Sequence, residues 1–238
     1  MIGRVLVLTG AGVSAESGIP TFRGKDGYWR NLDPAKLATP GAFEKNPKLV
    51  WEWYRERRRW IRDAQPNLAH RAIVDLARRA KEFLLVTQNV DDLHARAGLP
   101  PEKMVQIHGD IFVNRCSHCG RDRSENEDID LPKCGECGAL MRPGVVWFGE
   151  QLDPRKIDIV EEFLSGRTCD LVLVIGTTAL FGYIVDWAVR ARGKDGHLIE
   201  INPEATALSE FATQSIREPA GIALPRLIDS YLARSESV

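Results

Sequence analysis

Four short runs of valine, leucine and isoleucine recur along the chain without the alternation of apolar and polar residues that marks a half-exposed strand. They span residues 4–9, 83–87, 171–175 and 197–201. Such runs are typical of parallel strands buried on both faces of a sheet. Segments with helical periodicity lie between them, so we predict an α/β fold with a doubly wound parallel sheet. In that fold class, ligands bind at the carboxyl ends of the strands.

Two of the intervening segments carry start signals for helices. In residues 68–80 the small and apolar side chains fall on one face and arginines on the other, and Pro66-Asn67 precede them as the start signal. A second helix is predicted to begin with Asn46 as its cap and Pro47 at its first position, and to continue through Arg57.

Residues 116–137 break this pattern, because they are polar, rich in turn-forming residues and without helical or strand periodicity. They contain four cysteines, so the stretch is predicted to be an insert that folds around a metal ion. We therefore expect a large Rossmann-like, cofactor-binding part and a smaller part made of a helical insert and a zinc-binding module. The predicted bounds are 1–30, 65–110 and 145–238 for the large part, 31–64 for the helical insert and 111–144 for the zinc module.

The composition excludes several classes of protein. The 238 residues include 32 Lys and Arg against 33 Asp and Glu, and 44% are hydrophobic. A net charge of −1 argues against a nucleic-acid-binding protein, which needs a basic excess. No uncharged apolar run reaches the roughly 18 residues of a membrane-spanning helix, and the first residues lack the features of a signal peptide. We expect a cytoplasmic monomer that binds neither nucleic acid nor membranes.

The paired cysteines form two CxxC knuckles, Cys116 with Cys119 and Cys134 with Cys137, each followed by glycine. Two intervening residues let both thiolates of a knuckle point at one ion, and four thiolates complete a tetrahedral zinc site with no open position. The zinc ion is therefore expected to be structural. A pair of redox dithiols is the alternative, but it needs a thioredoxin-like context that the sequence lacks.

The turn after the first predicted strand has the spacing of a dinucleotide-binding turn. Gly10, Gly12 and Ala15 satisfy G-x-G-x-x-G/A, in which the glycines let the backbone approach a pyrophosphate. Tight glycine turns are also common after strands of other proteins, so this motif alone leaves the question open. Beyond it, glycine and proline end the helix early and leave a loop with Phe22 and Arg23 that can lie over the cofactor. This arrangement points away from hydride transfer.

Further motifs follow along the chain. They are GIPTFR at 18–23, TQNVDDLH at 87–94, His108-Gly109, the two knuckles, VVWFGE at 145–150, Gly176-Thr177 and Asn202-Pro203-Glu204. Together with the glycine turn they resemble the sirtuin family of NAD-dependent protein deacylases, in that family's order and over nearly the whole chain. The chain is similar to minimal, bacterial-type members of the family. The resemblance implies NAD as a cofactor, in addition to the zinc ion.

The resemblance also implies which residues bind NAD. Gln88, Asn89 and Asp91 correspond to the residues that hold the nicotinamide ribose and carboxamide, although an ordinary polar loop that caps a helix is the alternative for them. The full predicted set is Gly10, Ala11, Gly12, Ser14, Ala15, Thr21, Phe22, Arg23, Tyr28, Trp29, Gln88, Asn89, Asp91, Gly176, Thr177, Thr178, Asn202, Glu204 and Ala220.

His108 matches the general base of the family, and an imidazole that titrates near neutral pH suits removal of a proton from a ribose hydroxyl. In the implied reaction the amide oxygen of acyl-lysine attacks the ribose carbon, and nicotinamide, O-acyl-ADP-ribose and free lysine result. Val146, Trp147 and Phe148 are predicted to pair with the substrate backbone by strand addition. An interior strand is the alternative for that segment.

Tyr54 and Arg57 are spaced i, i+3 on the second predicted helix, where a phenol and a guanidinium on one face can bind a carboxylate. The pair resembles that of the sirtuins that remove succinyl, malonyl and glutaryl groups, and Ala38 resembles the small residue that widens their acyl pocket. We expect these activities with weaker deacetylation. A solvated basic helix face is the alternative for the pair. Deacetylation as the main activity, ADP-ribosyl transfer and an inactive binding module are the alternatives for the function.

One stretch departs from the family. After Gly176-Thr177 the family usually has serine and, further on, valine and proline, whereas this chain has TALFGY at 178–183. Phe181 is bulkier than the family's residue, and the missing proline is expected to reshape the helix start near the cofactor and the acyl-lysine channel.

Overall fold

The computed structural model describes residues 2–21, 33–124 and 129–235 of the chain. In chain order, the strands of this part, β1 to β9, are Ile2–Thr9, Ala80–Thr87, Met104–Gln106, Gly109–Cys116, Asp122–Ser124, Met141–Val145, Leu171–Ile175, His197–Ile201 and Gln214–Ile216. Six of them form a parallel sheet in the order β3-β2-β1-β7-β8-β9. The predicted Rossmann-like, doubly wound sheet is confirmed, and its strand order reverses between β1 and β7, where such sheets bind ligands.

Helices cover both faces of this sheet. In chain order, helices α1 to α9 of the described residues are Gly12–Ala15, Pro34–Leu37, Pro40–Lys45, Pro47–Asp63, Leu68–Arg79, Leu93–Arg96, Pro154–Gly166, Gly182–Arg192 and Ala220–Ser235. Apolar residues of α5 and α9 pack on one face and those of α7 and α8 on the other. This explains why the central strands are apolar without alternation. Within the part of the chain that the structure describes, no helix is long and apolar enough to span a membrane.

The four predicted strands are present, but Ala80 and the strands β3 and β9 differ from the prediction. Ala80 was predicted as the last residue of a helix, but it is the first residue of β2. Its backbone is extended, with ψ 138°, and it pairs with Ile2. The edge strands β3 and β9 were not predicted, since three residues are too few to show a period.

The smaller part of the molecule combines helices α2 to α4 with an antiparallel sheet of β5, β4 and β6. As predicted, Asn46 caps α4 by accepting from the Leu49 amide. The predicted start signal at Pro66-Asn67 is followed by α5, which Asn67 caps by accepting from the amides of Ala69 and His70. Residues 116–137 show no strand periodicity in the sequence, but β5 lies among them. Its three residues are all exposed, so no apolar position marks it in the sequence. The predicted bounds of the two parts stay a prediction.

A buried arginine joins α4 to the antiparallel sheet. Arg58 is 1% exposed, and its guanidinium donates to the carbonyl oxygen of Ile111 at 2.7 Å and to the side-chain oxygen of Asn114 at 2.7 Å. Its guanidinium also lies over the Trp51 ring, 5.2 Å from the centroid. Since α4 carries Tyr54 and Arg57, this connection fixes their position relative to the sheet.

We expect Arg58→Ala to destabilise the protein by about 2–4 kcal/mol, because two buried oxygen acceptors lose their donor. Arg59→Ala provides the matched control, since Arg59 is the next residue of α4 and is exposed; its effect should stay within about 0.5 kcal/mol. Urea unfolding of both variants measures the difference. Equal destabilisation by the two substitutions would show that the connection contributes nothing specific.

Candidate active site

Loops at the carboxyl ends of the parallel strands surround a cavity of about 900 Å³ beside the point where the strand order reverses. It is lined by all predicted cofactor-site residues among the described part of the chain, namely Gly10, Ala11, Gly12, Ser14, Ala15, Thr21, Gln88, Asn89, Asp91, Gly176, Thr177, Thr178, Asn202, Glu204 and Ala220. Phe22, Arg23, Tyr28 and Trp29 lie outside the described residues. The same cavity is lined by His108 and by the predicted substrate residues Ala38, Tyr54, Arg57, Val146, Trp147 and Phe148.

The glycine turn after β1 lies directly against the backbone of Gly176. The Gly12 amide donates to the carbonyl oxygen of Gly176 at 2.8 Å, and a Cβ on Gly12 would lie 2.7 Å from the Gly176 Cα. A Cβ on Gly10 would be 2.8 Å from the same carbonyl oxygen. This part of the cavity wall is therefore bare backbone, which suits the close approach of a pyrophosphate. As predicted, α1 ends early, and Gly18 turns the chain at φ +82°.

A network of buried polar side chains connects this turn to the loop after β2. The Ser14 hydroxyl donates to a carboxylate oxygen of Asp91 at 2.9 Å and accepts from the Asn89 side-chain amide at 3.1 Å. The other Asp91 oxygen accepts from the backbone of Leu93. Burial raises the pKa of Asp91 above its usual value, while the Leu93 and Ser14 hydrogen bonds act in the opposite direction. The loop does cap a short helix, as the alternative proposed, but Asn89 and Asp91 also line the cavity.

The His108 imidazole is held at both ring nitrogens. Its Nδ1 is 3.0 Å from the carbonyl oxygen of Gln88 and its Nε2 is 2.7 Å from the Tyr183 hydroxyl. A carbonyl oxygen can only accept, so the hydrogen-bond pattern assigns the proton of a neutral ring to Nδ1. Burial lowers the pKa of His108, the Gln88 bond raises it and the Lys156 cation lowers it, with a net decrease. His108 is therefore neutral at physiological pH, with an Nε2 lone pair that can accept a proton.

Tyr54 and Arg57 lie on the inner face of α4 and not on a solvated surface. Tyr54 is 2% exposed and Arg57 is 7% exposed, so the alternative of a solvated basic face is wrong for this pair. The Trp147 indole N–H donates to the Tyr54 hydroxyl oxygen at 2.9 Å, which leaves the phenolic proton available as a donor. Burial raises the pKa of Tyr54 to about 12, so the phenol stays protonated. Ala38 is buried and lines the same cavity.

The segment after β6 runs along the cavity wall. Val145 ends the strand, whereas Phe148 is 42% exposed, so the segment leaves the interior within three residues. The Val146 amide donates to the carbonyl oxygen of His108 and the Phe148 amide to that of Ala38. The segment is thus bonded to the backbone of His108 at one end and to the backbone of Ala38, in the helical insert, at the other.

Among the residues of the cavity wall that the sequence analysis did not assign to the site, Glu16 and Tyr183 make contacts across it. The Glu16 carboxylate accepts from the Gly221 amide at 2.6 Å and ties the loop after α1 to the start of α9. Tyr183 was noted as part of an atypical stretch, but its contact with His108 was not predicted. The two residues are 75 positions apart in sequence, and no local pattern signals such a contact.

The four knuckle cysteines form one cluster. All four sulfur atoms lie within 4.8 Å of one another, and two close separations join different knuckles, Cys116 with Cys137 at 3.5 Å and Cys119 with Cys134 at 3.7 Å. A tetrahedron with Zn–S bonds of about 2.3 Å has sulfur–sulfur edges of about 3.8 Å. The cluster therefore fits a single structural zinc ion, and the cross-knuckle pairs disfavour two independent dithiols. Backbone N–H groups of Cys119 and His118 lower the pKa of Cys116 to about 6, which favours its thiolate.

Comparison with known proteins gives a consistent result. The Sir2 family model matches residues 10–181. The chain is 45% identical over 233 residues to an NAD-dependent protein deacylase of Leptospira interrogans, covering 96% of this chain and 93% of that one. It is 43% identical over 229 residues to one of Aquifex aeolicus, covering 94% of each.

Solved structures agree with the sequence relatives. A Sir2 homologue in complex with NAD superposes with a TM-score of 0.88 and 43% identity, over 97% of this chain and 90% of that one. A Sir2 variant with a deacetylated p53 peptide and 3'-O-acetyl ADP-ribose superposes with a TM-score of 0.82 and 26% identity, over 95% and 93% of the two chains.

We expect the purified protein to contain one zinc ion per chain, and Cys134→Ser to lose it. Because closed thiolate sites contribute folding free energy, the variant should also lose amide-exchange protection in β4 to β6. Metal analysis and hydrogen exchange measure both effects. Cys169→Ala is the matched control, since Cys169 is buried in the large part of the molecule and outside the cluster. Full zinc content in the Cys134→Ser protein would contradict the assignment.

Proposed function

Since this chain belongs to the Sir2 family, we propose that it removes succinyl, malonyl and glutaryl groups from protein lysines in preference to acetyl groups. The chain is an NAD-dependent protein deacylase, because it is 43–45% identical to relatives with that activity. The acyl preference is carried by one observation: Tyr54 and Arg57 line the same cavity as His108, with their side chains buried.

A carboxylate at the end of an acyl chain matches both groups. The Arg57 guanidinium stays cationic although burial lowers its pKa, since arginine does not deprotonate in proteins. The Tyr54 phenol, whose oxygen accepts from Trp147, supplies a hydrogen-bond donor beside it. Charge-assisted hydrogen bonds from a phenol and a guanidinium to one carboxylate are among the stronger polar interactions in proteins.

An acetyl group offers no partner for this pair. Its methyl group cannot accept a hydrogen bond from the guanidinium or the phenol, so an acetyl group gains none of the polar interactions that a carboxylate gains there. The small side chain of Ala38 leaves space in the same wall for the longer dicarboxylic acyl chains. These two features support a preference for acidic acyl groups with weaker deacetylation.

The chain's own residues provide the binding and proton-transfer steps. NAD, when bound, supplies the ribose carbon that the acyl-lysine amide attacks. The bare backbone at Gly10, Gly12 and Gly176 accommodates the pyrophosphate, and the buried Asn89 and Asp91 side chains bind the ribose and carboxamide. His108 accepts a proton at Nε2 from a ribose hydroxyl. One water molecule is consumed, and the products are nicotinamide, O-acyl-ADP-ribose and free lysine.

The peptide substrate is proposed to bind beside the segment after β6 by strand addition. The amides of Val146, Trp147 and Phe148 already donate within the chain, and the Trp147 carbonyl oxygen accepts from the Glu150 amide. The carbonyl oxygens of Val146 and Phe148 are therefore the groups proposed to pair with a peptide. Phe148 and Phe181 line the cavity and are exposed, which provides apolar surface for the stem of the acyl-lysine.

Two alternatives within the family, deacetylation as the main activity and ADP-ribosyl transfer, can be tested directly. A mass-spectrometric panel of one peptide with acetyl-, succinyl-, malonyl- or glutaryl-lysine, with and without NAD, ranks the acyl groups. Loss of acetyl groups alone would contradict the acidic preference and keep the deacylase. Protein-bound label after incubation with labelled NAD would favour an ADP-ribosyltransferase. The monomeric state, the cytoplasmic location and the lack of nucleic-acid or membrane binding stay predictions.

We expect Arg57→Met to lower kcat/KM for succinyl-lysine peptides about 10- to 100-fold, because two charge-assisted hydrogen bonds are lost. Deacetylation should change less than about threefold, since an acetyl group makes no such bonds. Steady-state kinetics on matched peptides measures both. Arg59→Met is the control, because Arg59 is exposed on the same helix and does not line the cavity. An equal loss of both activities in the Arg57 variant is the outcome that sinks the specificity.

The pH dependence of deacylation follows from the environment of His108. The neutral imidazole is the base, and burial lowers its pKa below 6.5. Protonation at low pH therefore abolishes the activity, and kcat/KM should rise through a limb below pH 6.5 and stay level through neutral pH. A limb centred above pH 7 would show that another group controls the reaction.

A further inference from the structure

The hydroxyl of Tyr183 occupies the hydrogen-bonding position that the general base needs for its reaction. An imidazole Nε2 has one lone pair, and Nδ1 already carries the proton that is donated to Gln88. The 2.7 Å contact at Nε2 must therefore be donated by the phenol of Tyr183. In this state the lone pair that would accept the ribose proton is engaged by the protein itself.

The Tyr183 ring is fixed by aromatic neighbours. It lies in the first turn of α8, stacks with Phe181 at 5.6 Å and 15°, and packs against Trp187 at 4.9 Å. The Trp187 indole is anchored in turn by donating to Glu161. Phe181 also meets the His108 ring edge to face at 5.6 Å. The hydroxyl is thus directed at Nε2 by packing, and any rearrangement that releases the imidazole involves the start of α8.

We propose that Tyr183 is a positioning residue that sets the basicity of His108, and that the cofactor ribose must replace its hydroxyl at Nε2 before proton transfer. A donor at Nε2 stabilises the neutral ring and disfavours the imidazolium. It also keeps the ring in the orientation in which Nε2 faces the cavity. The role of His108 as the base rests on the proposed function. The hydrogen bond between Tyr183 and His108 does not depend on it.

The other groups around the imidazole do not account for this role. Lys156 reaches toward His108 from α7, and its cation also disfavours the imidazolium. Its ammonium group donates to the carbonyl oxygen of Gln106, so it does not compete for Nε2. Gln88 contributes a neutral carbonyl group. Tyr183 is the titratable residue in direct contact with the reactive nitrogen, and burial raises its pKa, so it remains a donor.

The test is Tyr183→Phe, which keeps the ring and its packing and removes the hydroxyl. Nuclear magnetic resonance titration of His108, without NAD or peptide, should show a pKa higher than in the wild-type protein. The acid limb of kcat/KM for NAD should move to higher pH by the same amount. At a pH on that limb the variant should be about three- to tenfold slower, and on the plateau no slower than the wild type. A merely structural role would lower the rate equally at every pH.

Two further proteins keep the test decisive. Tyr231→Phe is the control, because Tyr231 lies beside His197 at the amino end of β8, away from the cavity at the carboxyl ends, and it should leave the His108 titration unchanged. A 3-fluorotyrosine at position 183 is a stronger donor and should shift the pKa of His108 downward, which tests the same bond if the phenylalanine variant folds poorly. Identical His108 titrations in the wild type and the 183 variants would overturn the proposal. Because that titration needs no substrate, it is independent of whether the deacylase activity is found.

Discussion

The close approach of two backbone segments at the reversal of the strand order is the constraint on which the cavity depends. Gly10 and Gly12 follow β1, and Gly176 follows β7, and their backbones touch with no room for a Cβ on either side. The contact closes one wall of the cavity without side chains. It also brings the loop after β7 close enough for Thr177 to accept from the Gln88 side chain at 2.8 Å, so three strand ends act as one unit.

The His108 imidazole is positioned by this unit of three strand ends. Gln88 holds the Nδ1 of His108 through its backbone, and its side chain bonds to Thr177. The base is therefore tied to the same loops that are proposed to bind the cofactor. Such positioning by backbone groups of rigid strand ends holds a catalytic group more precisely than a free loop does. The contact of Tyr183 with Nε2 adds a second restraint, from a helix on the other side of the cavity.

The proposed acyl pocket depends on the smaller part of the molecule. The helix α4 carries Tyr54 and Arg57 to the cavity, and it is held by Arg58, which bonds to β4, and by the Trp51 indole, which donates to the carbonyl oxygen of Met141 in β6. The zinc-binding cluster lies at the far end of the same strands. A zinc ion in this cluster would stabilise the sheet against which α4 packs.

The sequence by itself determined the parallel sheet, the starts of α4 and α5 and the cysteine cluster, and its motif order indicated the sirtuin resemblance that predicted part of the cavity wall. These features follow from local signals: apolar runs, capping residues, CxxC spacing and motif order. The tertiary structure alone decided the rest. It placed Ala80 in a strand, formed the edge strands β3 and β9, and buried Arg57 where composition allowed a solvated face. It also brought Tyr183 to His108. These outcomes depend on contacts between residues far apart in the chain, and no periodicity or spacing within one segment encodes such contacts.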